Sequence, residues 1–510
     1  MRCDRSGYAT ARMNRLACRL TSRRVLRVHG MAARCSFRRP YFSTDRGVDR
    51  MLTQLRGAGP WIVGLAAAMV AGAAVAISPL FLAAEVLLLI VLAALLYPNS
   101  RWQLAPLTVL VVSPAIFLDA AGEPMPNGDA AQKALLIVAL GCLVFTAGVR
   151  WSNVGAAAVA AVGLALVVSV LDVGGAIDVG AALAGRAFVG YSLPWLFLFV
   201  DWRAIGVSRG LGLLTKLPLL SVIAGVPLQL AGVSTVFSVE ATGVPRLEGA
   251  SIPAHLAFLS LVGLAAGLCL LGLPAVDRNP HTYLWVGLNL AILVATATRG
   301  GIGVGLGLVA VFIVHALMVS RSSSRLARRG AWMATAIGVV AMAAAAPELI
   351  RRSMGNSYEG TFNLSGRDQA WDFFFGLATQ SPVTGKGLGF ATIAVQLYAP
   401  PNVQKEFVAP HNEYIHLWLD GGMPFLVAMM AAMLTLFFLA ARAHRGTVRW
   451  VIATFAVGFL GYSFTDNTFS TPQFTVLVIM LLGILVANPA PPRRPTAPAT
   501  SPAPRAAVPA

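Results

Sequence analysis

Pro410-His411-Asn412-Glu413-Tyr414-Ile415-His416-Leu417-Trp418-Leu419-Asp420-Gly421-Gly422 closes the longest polar interval of the chain, and an apolar run over about 423–441 follows it directly. The interval opens at Glu348 with Arg351 and Arg352. It carries Ser365-Gly366-Arg367 and Pro382-Val383-Thr384-Gly385-Lys386-Gly387-Leu388-Gly389-Phe390. Everything around it is apolar: 57% of the 510 residues are hydrophobic and 12% are charged. No soluble core needs that much apolar surface, so the composition predicts an all-α polytopic membrane protein. Backbone groups in lipid must be satisfied internally, and the runs lack the period-two alternation of barrel strands.

Working outward, apolar runs fall at about 61–77, 80–97, 104–118, 133–149, 154–171, 187–200 and 211–233. Others fall at about 254–273, 282–298, 301–319, 332–347, 423–441, 450–464 and 474–487. Several are shorter than the ~20 residues of a standard span, so the expectation is about 12–14 transmembrane helices within a membrane domain at 57–487. Residues 1–56 hold fourteen Arg against three Asp, which places +11 of the net +18 before the first span. That tail reads as a cytoplasmic basic segment, or as sequence upstream of a later start at Met31 or Met51. Residues 488–510, rich in Pro and Ala, read as a disordered tail. The basic residues elsewhere sit mostly in short turns, where they orient helices rather than bind a polyanion, so a nucleic-acid partner is excluded.

With the basic tail in the cytoplasm, alternating the spans puts Arg101, Arg150, Arg203, Arg278, the Arg321–Arg329 cluster and Arg442 on the same side. The interval 348–422, the segment 234–253 and the turn at Arg299 then face outward. Arginines on that face run against the positive-inside bias, so a role other than orientation is expected of Arg246, Arg299 and Arg367. Guanidinium groups suit bidentate phosphate binding. His411, at the outer end of a span, suits a general base because an ordinary imidazole titrates near neutrality. Helical spacing would put His411, Ile415 and Trp418 on one face. The bland alternative is an interfacial or capping histidine. His416 reads as a packing residue and His315 as a polar group within a span. Gly385-Lys386-Gly387-Leu388-Gly389 lacks the order of a nucleotide-binding phosphate loop and reads as a turn that brings backbone close to another element. The five cysteines have no metal-ligand spacing.

Taken in order, four stretches make the chain resemble the O-antigen ligase / O-antigen polymerase family of bacterial envelope glycan enzymes. They are Arg246 within Gly243-x-x-Arg-x-x-Gly249, Thr298-Arg299-Gly300, Ser365-Gly366-Arg367 with Trp371 followed by the Pro382–Gly389 turn, and His411-Asn412-x-Tyr414 followed by Gly421-Gly422. The resemblance spans about 200–465. It departs from the family pattern at Gly421-Gly422-Met423-Pro424, with Asp420 near the usual acidic position. It implies a C-type glycosyltransferase-like fold with one large extracytoplasmic loop at 348–422. The implied donor is a glycan on undecaprenyl pyrophosphate, and the implied acceptor is a hydroxyl on lipid A-core or another glycan. The implied setting is the bacterial inner membrane with the site facing the periplasm. Carried over, Arg299, Arg246 and Arg367 hold the pyrophosphate, His411 activates the acceptor, Asn412 and Tyr414 support it, and no metal or cofactor is needed. The alternatives are a polymerase joining lipid-linked repeats of O-antigen or exopolysaccharide, and a flippase for lipid-linked sugars. A flippase would gather charge at the bilayer midplane, whereas here it gathers in the loop.

Overall fold

The computed structural model describes residues 128–151, 155, 162–163, 181–230, 234–239, 243–273, 281–315, five positions between 332 and 347, 367–406 and 409–490. All lie in one unit, Ala67–Ala510. The spans expected at 61–77, 80–97 and 104–118 and both terminal tails lie outside the described residues, apart from 488–490. So do most of 154–171, 332–347 and the first part of the long loop.

The described elements follow the apolar runs closely. They are α1 (Gly128–Ala147), α2 (Ala181–Leu196), α3 (Trp202–Ile205), α4 (Val207–Leu214), α5 (Leu217–Leu230), a hairpin of β1 (Phe237–Val239) and β2 (Pro245–Leu247), α6 (Pro253–Gly272), α7 (Thr282–Ala295) and α8 (Arg299–Val314). The long loop then supplies α9 (Arg367–Ala378), α10 (Phe390–Tyr398) and α11 (Pro401–Glu406), followed by α12 (Glu413–Ala443), α13 (Thr447–Ser463) and α14 (Pro472–Ala487). Among the described residues three stretches, Ala182–Phe199, Pro253–Gly272 and Glu413–Ala443, are long and apolar enough to cross a membrane. The pair α4 and α5, bent by 44°, makes a fourth if it is one span. The protein is thus a helical polytopic membrane protein.

α6 is the hub. It is apolar all round, and residues from His255 to Leu271 are buried without interruption, as expected of a helix surrounded by others. α7, α8, α13 and α14 all pack on it. A Cβ at Gly267 would lie 2.7 Å from Val286 on α7, so a glycine is what lets these two backbones approach. The apolar run at 211–233 is broken at Thr215-Lys216. Asn289 of α7 donates to the Thr215 carbonyl at 3.0 Å, supplying a partner at the break.

The long helix α12 differs from its expected form. The run was expected to begin after Gly422, but helical backbone starts at Glu413, because the Asn412 side chain accepts from the Tyr414 and Ile415 backbone N–H groups at 3.0 and 3.3 Å. Gly422, with φ of 75°, then breaks the helix into two segments. The Gly385 turn seats itself in this break. The Lys386 N–H donates to the Leu419 carbonyl, the Met423 N–H donates to Pro382 at 2.9 Å, and a Cβ on Gly422 would fall 1.9 Å from the Val383 oxygen. Asp420 completes the clamp, accepting from the Gly389 and Ala391 N–H groups at the start of α10 and from the Tyr191 hydroxyl. The loop helices α9 and α10 share a small apolar core with Ile415 and Leu419. The described part of the polar interval is therefore fastened to the first segment of α12.

Candidate active site

One cavity of about 200 Å³ gathers residues from six separate parts of the chain, Ala254 of α6 among them. Arg246 reaches it from β2, Thr298, Arg299 and Gly300 from the start of α8, and Arg367 from the start of α9. His411 comes from the turn before α12, and Tyr462, Thr465 and Asp466 from the end of α13 and the turn that follows. The three arginines and the histidine singled out in the sequence are thus brought together. Asn412 and Tyr414 do not line the cavity. They anchor it, Asn412 as the cap of α12 and Tyr414 by donating its hydroxyl to the Leu460 carbonyl of α13 at 2.9 Å.

His411 does not belong to the helix on whose face the spacing placed it. It precedes the Asn412 cap and has φ of +47°, a left-handed conformation uncommon for a residue other than glycine. The neighbours impose this: Trp371 of α9 donates its ring N–H to the Pro410 carbonyl at 3.0 Å, while Asn412 is held by the helix start. Among the described residues, the one other non-glycine residue with positive φ is Ala297, in the turn that delivers Arg299. Both strained positions flank the cavity. The other histidines lie elsewhere. His416 is buried 3.7 Å from Asp420, and His315 follows Val314 of α8, 2.9 Å from the Thr447 hydroxyl.

Arg246 plays a part that charge alone does not specify. Its Nε donates to the Thr296 carbonyl at 3.0 Å and its Nη2 to the Thr298 hydroxyl at 3.3 Å. It thereby splints the turn containing Ala297 and fixes where α8, and with it Arg299, begins. The pairing of Ser238 with Arg246 in the hairpin sets the residue in place. No strand was expected in this loop.

Asp466 is the functional candidate that sequence reasoning missed. Its Oδ1 stands 3.7 Å from His411 Nδ1, an ion-pair separation longer than a hydrogen bond, and its Oδ2 accepts from the Tyr462 hydroxyl at 3.1 Å. Burial alone would push this carboxyl up. The adjacent His411 ring, the Asn467 N–H and the Arg367 guanidinium outweigh burial and hold it below the usual carboxylate range. Glu413, fully buried at the start of α12, accepts from both the N–H and the hydroxyl of Ser470 at 3.0 Å. That clamp ties the turn carrying Asp466 to the helix start beside His411. The available signal was topological: an acidic residue in a short turn on the same face as the arginines. Among the described residues, no three His, Cys, Asp or Glu side chains converge as a metal site would require.

A helical membrane protein with an arginine-lined cavity beside a His–Asp pair has the parts of an enzyme acting on an anionic, membrane-held substrate. Residues 284–430 match the family model described as O-Antigen ligase, which supports the resemblance read from the sequence. The matched segment includes Arg299, Arg367 and His411. Arg246 and Asp466 lie on either side of it and are added by the fold. A comparison with curated proteins finds no match. The family match supports a glycan ligase or polymerase that handles lipid-linked glycans at a membrane.

Proposed function

We propose that the protein is a glycan ligase that transfers an oligo- or polysaccharide from undecaprenyl pyrophosphate to an acceptor hydroxyl on the periplasmic face of the inner membrane. The observation that carries this reading is the convergence of Arg246, Arg299 and Arg367 with His411 on one cavity. Three guanidinium groups in so small a space suit a pyrophosphate, and the positive end of the α8 dipole opens beside them. His411, at the cavity wall, takes the acceptor proton at Nε2, the ring nitrogen away from Asp466. Asp466 orients the imidazole and balances the charge it gains.

In this scheme the acceptor oxygen forms its bond to the anomeric carbon as the bond from that carbon to the pyrophosphate oxygen breaks. The bonding pair leaves with the lipid pyrophosphate, whose charge the arginines already offset, and the acceptor proton resides on His411 until water removes it. Pyrophosphate is a good leaving group, so positioning and electrostatic stabilisation supply most of the catalysis. A single displacement inverts the anomeric configuration. His411, Arg246, Arg299 and Arg367 act directly, while Asn412 and Tyr414 hold the frame.

The test is deletion of the gene, followed by gel analysis of lipopolysaccharide and exopolysaccharide. Loss of all long chains with an intact core supports the ligase. A core bearing a single repeat identifies a polymerase, and unchanged lipopolysaccharide with a missing exopolysaccharide moves the acceptor to another polymer.

A further inference from the structure

Beside the charged cavity stands a group of aromatic rings that the scheme above leaves unused. Phe464 lies in the turn after α13 and is 51% exposed. It meets Trp371 edge to face, with centroids 5.1 Å apart at 65°, and Tyr414 at 6.3 Å. Each ring adjoins a cavity residue. Phe464 immediately precedes Thr465 and Asp466, Trp371 lies one helical turn from Arg367 on the same face of α9, and Tyr414 stands in the first turn of α12, just after His411 and the Asn412 cap. The polar tips of Trp371 and Tyr414 are tied to the Pro410 and Leu460 carbonyls. Those bonds fix the rings and leave their carbon surfaces as the contact-making parts.

We infer that Phe464, with Trp371 and Tyr414 behind it, forms a subsite for a pyranose ring of the glycan at the mouth of the cavity. A pyranose has an apolar face of C–H groups and an edge of hydroxyls. A fixed aromatic surface next to Asp466, Thr465 and Arg367 offers a counterpart to both. The rings reach the cavity through their chain neighbours, since Thr465, Asp466 and Arg367 line it together with His411. The inference rests on the proposed function, since it takes the cavity as the pyrophosphate site. The ring can come from the donor sugar attached to pyrophosphate or from the acceptor sugar.

The experiment measures binding to full-length protein in lipid nanodiscs with three probes: undecaprenyl pyrophosphate, undecaprenyl pyrophosphoryl-N-acetylglucosamine, and lipid A-core. Phe464→Leu keeps the apolar character and removes the ring, and Phe464→Tyr keeps the ring. Phe464→Leu is expected to weaken one sugar-bearing probe about fivefold while leaving undecaprenyl pyrophosphate within about twofold of wild type, and Phe464→Tyr to bind as wild type. The probe that weakens names the source of the ring. Unchanged binding of both sugar-bearing probes overturns the subsite. So does equal weakening of undecaprenyl pyrophosphate, which would make Phe464 a membrane or structural anchor. Arg299→Ala serves as the separate check. If it leaves undecaprenyl pyrophosphate binding intact, the pyrophosphate reading of the cavity fails whatever Phe464 does.

Discussion

His411 Nδ1 and Asp466 Oδ1 face each other at 3.7 Å, one from the turn before α12 and the other from the turn after α13. The two turns are joined by the Glu413–Ser470 clamp and by Tyr414 on Leu460. The pair is therefore held by the same contacts that fasten α12 to its neighbours. Two segments far apart in sequence must pack correctly before the imidazole has its acidic partner.

Asp466→Asn keeps the shape and removes the charge. Turnover is expected to fall about tenfold to a hundredfold, with a much smaller change in donor affinity, because orientation of the base is lost while the arginines remain. The folded-state carboxyl is held below its ordinary range. The stability it contributes is thus fully present above that range and is lost as pH falls through the depressed value. Thermal melting below about pH 4 should accordingly flatten in Asp466→Asn relative to wild type. Parallel pH–melting curves for the two proteins would dissociate Asp466 from this role.

The left-handed backbone at His411 separates stability from activity. His411→Gly removes the penalty of a side chain at φ of +47° and is expected to raise stability by up to about 1 kcal/mol while eliminating transfer. Melting temperature and glycan transfer measured on the same preparation check this. A variant both less stable and inactive would show that the imidazole holds the fold.

Arg246→Lys retains a positive charge but cannot bridge the Thr296 carbonyl and the Thr298 hydroxyl together. Loss of the splint should cost about 1–3 kcal/mol in binding of undecaprenyl pyrophosphate, since the turn that delivers Arg299 loosens. Wild-type affinity in Arg246→Lys would mean that charge alone is what the position supplies.

Gly422→Ala tests the fastening of the polar interval. A Cβ there would fall 1.9 Å from the Val383 oxygen, on a residue already at positive φ. The expected cost is about 2–4 kcal/mol, seen as lost folded protein or as protease cleavage within 382–406. Normal yield and protease resistance would show that the contact is dispensable.

The sequence carries the spanning helices well because a span must be continuously apolar, whereas α3 and the loop helices α9, α10 and α11 lie off the apolar runs. Its breaks are harder to see. Thr215-Lys216 interrupts an apolar stretch just before Leu217-Pro218, and the partner of the Thr215 carbonyl there, Asn289, comes from another helix. Asn412 is a cap by residue type, yet the apolar count placed the span start after Gly422, because polar residues between them hid the first helical segment. Arg246, Arg299 and Arg367 stood out as charges against a charge rule, and His411 as an imidazole at the end of a span. Asp466 did not, because Asp466-Asn467-Thr468 reads as ordinary turn chemistry until tertiary contacts bring it to His411. The strain at His411 left no mark in composition, since it arises from Trp371 pinning Pro410.

The most direct measurement is transfer of glycan from undecaprenyl pyrophosphate to lipid A-core by the purified full-length protein in nanodiscs, comparing wild type with His411→Ala. The account predicts that wild type forms a product of inverted anomeric configuration. It also predicts that His411→Ala binds undecaprenyl pyrophosphate within about twofold of wild type but turns over at least about a hundredfold more slowly. Full activity of His411→Ala, or a product of retained configuration, would contradict it.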